Sequence, residues 1–297
     1  MSTIVFQQAL DLDTERFGSA VGRRPVAVKH SLVDHPGLTL DALAELADRF
    51  PGRMERHRSD LPQVMPGGAP DMDGPPSETV RGIESNGCWM VFWYIDQVPE
   101  YKDILDRCID QVEPYVPSEM GGTRQREAFL FLSAPDALTP IHFDPEHNFL
   151  LQIRGHKDMN VCAFDSPEGE LHELERYFDG GHRNLEAVPS DGECFGLDPG
   201  DGVYVPPFMP HWVQNGPEAS ISLSITFRTR ATLRSERVHR VNARLRRLGL
   251  SPAPPGGSSV RDRAKESAWL AVRAPARRVS GLKHALGTRN GHVPLSS

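Results

Sequence analysis

The sequence predicts a mainly β protein, a jelly roll with helices before and after it. Three observations carry that expectation. From Glu127 onward, short apolar runs recur between turn residues, which is the pattern of a sandwich or barrel. Gly and Pro number 26 each, which favours loops and strands over a helical bundle. Metal-ligating residue types stand at the ends of distant runs, His142 with Asp144 early and His211 late, and a jelly roll gathers such strands around one site.

Taken in order, residues 1–24 read as a short helix and a lead-in. Residues 25–29 form a β-branched apolar run after Gly22-Arg23-Arg24 and read as a strand. In 38–47, Leu40, Leu43, Ala44 and Ala47 share one helical face; Thr39 or Asp41 caps it and Pro51-Gly52 stops it. Residues 59–79, crowded with Pro, Gly and Asp, are expected to hold no element. Such a segment is either a cover over a binding site or a surface insertion. Residues 89–95 are the most apolar run and fit a buried strand or a helix start. In 99–109, Tyr101, Ile104, Leu105 and Cys108 fall on one side behind a first-turn proline, so this segment reads as a helix.

Strands are then expected at 128–133, 149–154, 157–164, 193–197, 202–205 and 220–227, the last with strict alternation. Asp198-Pro199-Gly200-Asp201 is a turn. Residues 233–248 read as a basic helix with a stripe of Leu233, Val238, Val241, Leu245 and Leu248. Residues 251–259 read as a linker, and 260–272 as a second basic helix. The organisation expected is therefore N-terminal α/β elements over 1–125, a β core over 126–230 and a basic helical tail over 231–297.

Composition narrows the classes. No apolar run approaches the roughly 18–20 residues that cross a bilayer, so no membrane span is expected. The first residues lack a basic region followed by an apolar core, so a secretory leader is not expected. Cys88, Cys108, Cys162 and Cys194 are widely spaced, which reads as reduced thiols in a cytoplasmic protein rather than a disulfide frame or zinc site. The net charge of −7 conceals a split. From Arg228 to Ser297 there are 16 Lys/Arg against three Asp/Glu, and the remainder carries a net −20. The plainer reading of that tail is that it folds back on acidic surface; nucleic acid as a partner is disfavoured, since no aromatic-interleaved basic pattern accompanies it.

The chemistry centres on Thr139-Pro140-Ile141-His142-Phe143-Asp144. Residues two apart on a strand share a face, so His142 and Asp144 can present an imidazole and a carboxylate to one point. With His211 as third ligand, the set suits non-haem Fe(II) with open coordination positions. Alone, His-x-Asp is weak: His142 is as easily a surface strand histidine, Asp144 a turn former before Pro145, and His211 a rim residue on Trp212. Lys157 adds a fixed cation one strand over, as the far carboxylate of a metal-bound keto-acid requires. The Thr139 hydroxyl and Asn148 amide can complete that carboxylate's hydrogen bonds. The plainer roles are an edge lysine and a turn threonine. His147, His156, His172 and His182 lack paired spacing and read as surface or loop residues.

Residues 139–157 resemble the core motif of the JmjC / cupin-like Fe(II)/2-oxoglutarate-dependent oxygenases, especially the asparaginyl hydroxylase-like branch. Residues 195–212, with Asp198-Pro199-Gly200-Asp201 leading into Pro206-Pro207 and His211, resemble that family's second half-motif. The resemblance implies a double-stranded β-helix. It implies His142, Asp144 and His211 as iron ligands, and Thr139, Lys157 and Asn148 at the 2-oxoglutarate carboxylate. Thr226 stands where that branch has an asparagine near the cosubstrate. Dioxygen is the co-reactant, and hydroxylation of a peptide side chain or small metabolite is coupled to conversion of 2-oxoglutarate to succinate and carbon dioxide. The resemblance also implies a homodimer through C-terminal helices, and the acidic body favours a cationic substrate. Two alternatives remain: a non-catalytic cupin-like binding protein, and a cupin enzyme that uses metal without 2-oxoglutarate.

Overall fold

A computed structural model describes residues 8–58 and 74–286. They fall into two compact units, Met1–Asp165 with Asn184–Arg230, and Ser166–Arg183 with Ala231–Ser297.

The first unit is built on two antiparallel sheets. In chain order its elements are β1 (Leu10–Asp11), α1 (Thr14–Ala20), β2 (Val26–His30), α2 (Leu40–Arg49), β3 (Met54–Arg58), α3 (Pro76–Arg81), β4 (Cys88–Phe92), α4 (Pro99–Val112), β5 (Thr123–Ser133), β6 (Leu138–His142), β7 (His147–Arg154), β8 (Lys157–Cys162), β9 (Gly192–Leu197), β10 (Asp201–Val205), β11 (His211–Asn215) and β12 (Ser220–Thr229). The larger sheet runs β1-β2-β10-β7-β12-β5-β4-β3 and the smaller β6-β11-β8-β9. Because β2 pairs with β10 and β4 with β5, the sheet continues across residue 125 without a break.

Alternation on β12 explains the layering. Ile221, Leu223, Ile225 and Phe227 join one apolar core with Phe17 of α1, Leu43 and Ala47 of α2, and Ile104, Leu105 and Cys108 of α4. Each such burial of a large apolar side chain stabilises by about 1.5–3 kcal/mol. The other face of the sheet contributes Leu150, Val203 and Val205 to a second core, against Met159, Val161, Phe195, Leu197 and Val213 of the smaller sheet. On that face β12 presents Ser220, Ser222, Ser224 and Thr226, all buried. Buried hydroxyls need partners. Ser222 donates to Gln152 Oε1 at 2.7 Å, and Gln152 Nε2 donates to Ser220 at 3.0 Å.

Local sequence signals match the helix ends. Thr39 caps α2 by accepting from the Ala42 amide at 3.3 Å, and a proline opens α4. Residues 89–95 resolve as strand β4, ending at Phe92, with Tyr94 in the left-handed region at φ 55°. The expected loop 59–79 requires correction: residues 59–73 lie outside the described residues, and α3 begins at Pro76. Proline is suited to a first helical turn, and Ser77, Thr79 and Val80 find burial; the Ser77 amide donates to Asp48 of α2 at 3.3 Å.

The second unit contains α5 (Pro167–Phe178), α6 (Arg230–Arg247) and α7 (Ser259–Leu286). Helix α5, which hydrophobic spacing did not reveal, is capped by Ser166, which accepts from the Gly169 amide at 3.0 Å. The expected apolar stripe on α6 is also corrected. Leu248 is 76% exposed, and the buried face is Glu236, Val238, His239, Asn242 and Ala243. Polar and π contacts hold this face instead. His239 stacks on Phe178 at 5.3 Å, Arg244 lies 4.4 Å over Trp269, and Arg234 and Arg237 both reach Glu266. The expected linker is tied down by Lys265 and Asn242, which both donate to the Ala253 carbonyl. No helix among the described residues is long and apolar enough to cross a membrane.

Candidate active site

His142 ends β6 and His211 opens β11, and the two are direct partners in the antiparallel register. Their rings lie 4.3 Å apart. Each ring uses Nδ1 in the same way: His142 donates to the Pro140 carbonyl at 2.8 Å and His211 to the Met209 carbonyl at 2.9 Å. A carbonyl only accepts, so each Nδ1 carries a proton, and in the neutral tautomer Nε2 is the nitrogen whose lone pair can bind. Both Nε2 atoms face Asp144 Oδ2, at 3.9 Å and 3.5 Å. The three donor atoms lie within 4.8 Å of one another.

The expectation that His142 and Asp144 share one strand is corrected: β6 stops at His142 and Asp144 lies in the turn beyond it. Alternation nevertheless carries through Phe143, which is fully buried against Phe164. The Asp144 carbonyl accepts from the Phe208 amide at 2.6 Å. Phe208 adopts φ 66°, so a strained residue on the His211 side holds the Asp144 turn.

Thr139 stands three residues from His142, which on a regular strand would put it on the opposite face. A register shift between His211 and Val213 removes the difficulty. His142 faces His211 and Thr139 faces Val213, so three residues of β6 span two of β11 and both point inward. Lys157 opens β8 opposite Asn215, again on the inward face with Met159 and Val161. Its side chain is buried, and burial pushes the ammonium down to about 7. No carboxylate is recorded against it among the described residues.

Asn148 and Thr226 are direct partners on β7 and β12, and both are buried. Ser224 donates to Asn148 Oδ1 at 2.8 Å, which turns the amide so that its Nδ2 is the group on offer. Thr226 places its hydroxyl proton toward the Glu127 carbonyl at 3.5 Å. Thus His142, Asp144 and His211 converge on one point, Thr139 and Lys157 share the inward face of the smaller sheet, and Asn148 and Thr226 adjoin on the larger. Ser224, Phe208 and Arg228 are parts of this site that sequence reading passed over. The Ser-x-Ser-x-Ser alternation on β12 was the available signal for Ser224.

Two imidazole Nε2 nitrogens and one carboxylate oxygen suit a divalent metal with open positions, iron(II) above all. A buried lysine without a recorded counter-ion suits an anion. The arrangement can therefore hold a metal at one end and an acid at the other.

Residues 120–234 match the JmjC domain family. The Jumonji C domain-containing protein 5 of Drosophila melanogaster is 28% identical over 159 residues, which cover 50% of this chain and 38% of that relative. The chain thus spans well under half of that relative's length. The X-ray structure of Escherichia coli YcfD is similar in fold, with TM-score 0.53 at 17% identity, over 97% of this chain and 75% of that one. A crystal structure of the Escherichia coli ribosomal oxygenase YcfD gives TM-score 0.51 at 18% identity, over 89% and 68%.

Proposed function

We propose, from the match of residues 120–234 to the JmjC domain family, that this protein is an Fe(II)- and 2-oxoglutarate-dependent oxygenase that hydroxylates a peptide or protein side chain. The observation that carries the reading is the convergence of His142 Nε2, His211 Nε2 and Asp144 Oδ2 within 4.8 Å of one another, with Lys157 buried on the inward face of the same sheet. His142, Asp144 and His211 would hold the iron. Lys157 and the Thr139 hydroxyl would bind the distal carboxylate of 2-oxoglutarate, with the Asn148 amide beside it.

By strand rise, Asn215 lies about 13 Å along β11 from His211, and Thr139 faces the midpoint of that span. A lysine stem reaching back from that level and a five-carbon diacid reaching forward bridge the distance. Bound iron with 2-oxoglutarate and dioxygen would supply oxidising power through decarboxylation to succinate. The chain's own residues set the geometry. The two carbonyls at Pro140 and Met209 fix the imidazole tautomers. The second core, with Leu150, Val161 and Val213 on the same inward faces, would exclude water and strengthen the attraction of Lys157 for a carboxylate.

The substrate we favour is a cationic side chain on a protein. Support comes from the net −20 carried by residues 1–227. A small metabolite is the second reading, and a dimer through α6 and α7 is part of the same proposal.

Anaerobic titration of the purified protein with Fe(II) and 2-oxoglutarate tests the core of this reading. A weak visible metal-to-ligand charge-transfer band is expected, absent in His142→Ala and Asp144→Ala, with succinate formed on admitting oxygen. Absence of 2-oxoglutarate binding by the iron-loaded parent protein overturns it. A panel of Arg-, Lys- and Asn-containing peptides, read by mass for a gain of one oxygen, then tests the substrate class.

A further inference from the structure

Of the three proposed ligands, Asp144 alone has no ladder to fix it. His142 and His211 are locked opposite each other on paired strands. Asp144 sits in the turn 143–146, so its place relative to the two rings depends on contacts that hold that turn.

Arg228, one residue beyond the Thr226–Phe227 end of the β7–β12 ladder, supplies one such contact. Its guanidinium bonds Glu146 in the Asp144 turn and lies 3.8 Å from Glu127 of β5. Both side chains of the Arg228–Glu146 pair are only 15% exposed. A pair so desolvated recovers little net stability, since removing both charges from water costs about as much as their attraction returns. The pair joins the turn to β12 on one side, while the Phe208 amide joins it to the His211 loop on the other. These two anchors tie the Asp144 turn to β12 and to the His211 loop.

We propose that Arg228 is a positioning residue: by bonding Glu146 it sets the Asp144 carboxylate at the distance from both His Nε2 atoms that a metal requires. This rests on the metal reading above. The guanidinium is suited to the task because its planar fork engages Glu146 while a second nitrogen faces Glu127. A lysine supplies the charge without the fork and should restore part of the effect. The bond is intramolecular and involves no proton transfer.

The test is calorimetric and spectroscopic titration with Co(II), using the full chain. Variants are Arg228→Met with Glu146→Gln together, which removes both members of the close pair and leaves the longer Glu127 contact of Arg228 unmade, Arg228→Lys, Asp144→Ala, and Asp144→Ala combined with the double change. The double variant should keep its melting temperature and bind Co(II) about 10–100-fold more weakly, the usual effect of a group that orients a ligand. Its Co(II) visible band should shift, and Arg228→Lys should fall between it and the parent. In the Asp144→Ala background the double change should cost nothing further, since it acts through Asp144. Unchanged Co(II) affinity and band in the double variant, or an undiminished loss in the Asp144→Ala background, overturns the positioning role alone. A parent protein that binds no Co(II), or binds equally well without Asp144, overturns the metal reading and this proposal together.

Discussion

His142 and His211 are direct partners across the β6–β11 pairing, and each ties its Nδ1 to the carbonyl two residues before it. The two half-motifs, some seventy residues apart in sequence, thus repeat one local device in space. The antiparallel register brings the rings together, and the i−2 carbonyl decides which nitrogen is left to bind. In both rings a backbone carbonyl, not a side chain, receives the Nδ1 proton.

The sequence reading of His147 as a surface or loop residue is corrected: it opens β7 and is fully buried. Tyr204 donates its hydroxyl proton to His147 Nδ1 at 2.7 Å and accepts from the Gly22 amide at 2.8 Å, and the ring stacks on Phe227 at 4.5 Å. Burial pushes its pKa down to about 3. The folded state keeps this ring neutral while the unfolded chain protonates it near 6.5, so its contribution to stability is present above pH 6.5 and is lost as pH falls toward 3. His147→Phe should leave Co(II) affinity at the parent value and flatten the fall in melting temperature between pH 6.5 and 4. Loss of metal binding in this variant would contradict the assignment.

Lys157 is expected to trade stability for ligand binding. An ammonium held near 7 instead of its ordinary 10.5 means that, between those values, the unfolded chain carries the extra proton. Stability from this group therefore rises with pH across that window. Lys157→Met should remove that slope and stabilise the protein at neutral pH, by about 1–4 kcal/mol on the scale of replaced buried charges. The same variant should lose 2-oxoglutarate affinity while retaining Co(II) affinity. In the parent, 2-oxoglutarate should bind more weakly as pH rises above 7, where the free ammonium is lost. Denaturation curves and titrations at pH 6.5, 7.5 and 8.5 check both signs.

Gly155 turns β7 into β8 at φ +69°, and a Cβ there would lie 2.5 Å from the Ala219 carbonyl oxygen. Both the dihedral and the backbone contact require glycine. Gly155→Ala should cost about 1–3 kcal/mol in urea denaturation. Since Lys157 stands two residues on, the variant should also weaken 2-oxoglutarate binding more than metal binding. An alanine variant of parent stability would show that the turn relaxes freely.

The strands were legible because alternation and turn residues are local. Residues 128–133, 149–154 and 220–227 each lie within the observed β5, β7 and β12. Capping and proline signals likewise located α2 and α4. The tail departs at the level of packing: periodicity predicts which residues share a face, but α6 buries Asn242, whose oxygen accepts from Lys265, and His239, which stacks on Phe178, and no local pattern encodes either contact.

By itself the sequence determined the candidate donors, their order along the chain and the β elements that carry them, since residue chemistry and strand period are properties of short segments. Only the tertiary structure decided how those donors meet. The register shift beside His211 brings Thr139 to the inward face. The carbonyls at Pro140 and Met209 select the Nε2 lone pairs. Arg228 and the Phe208 amide grip the turn that bears Asp144. The register shift and the Arg228 and Phe208 contacts join residues far apart in the chain, and a contact between distant residues exists only once the sheets have paired around it.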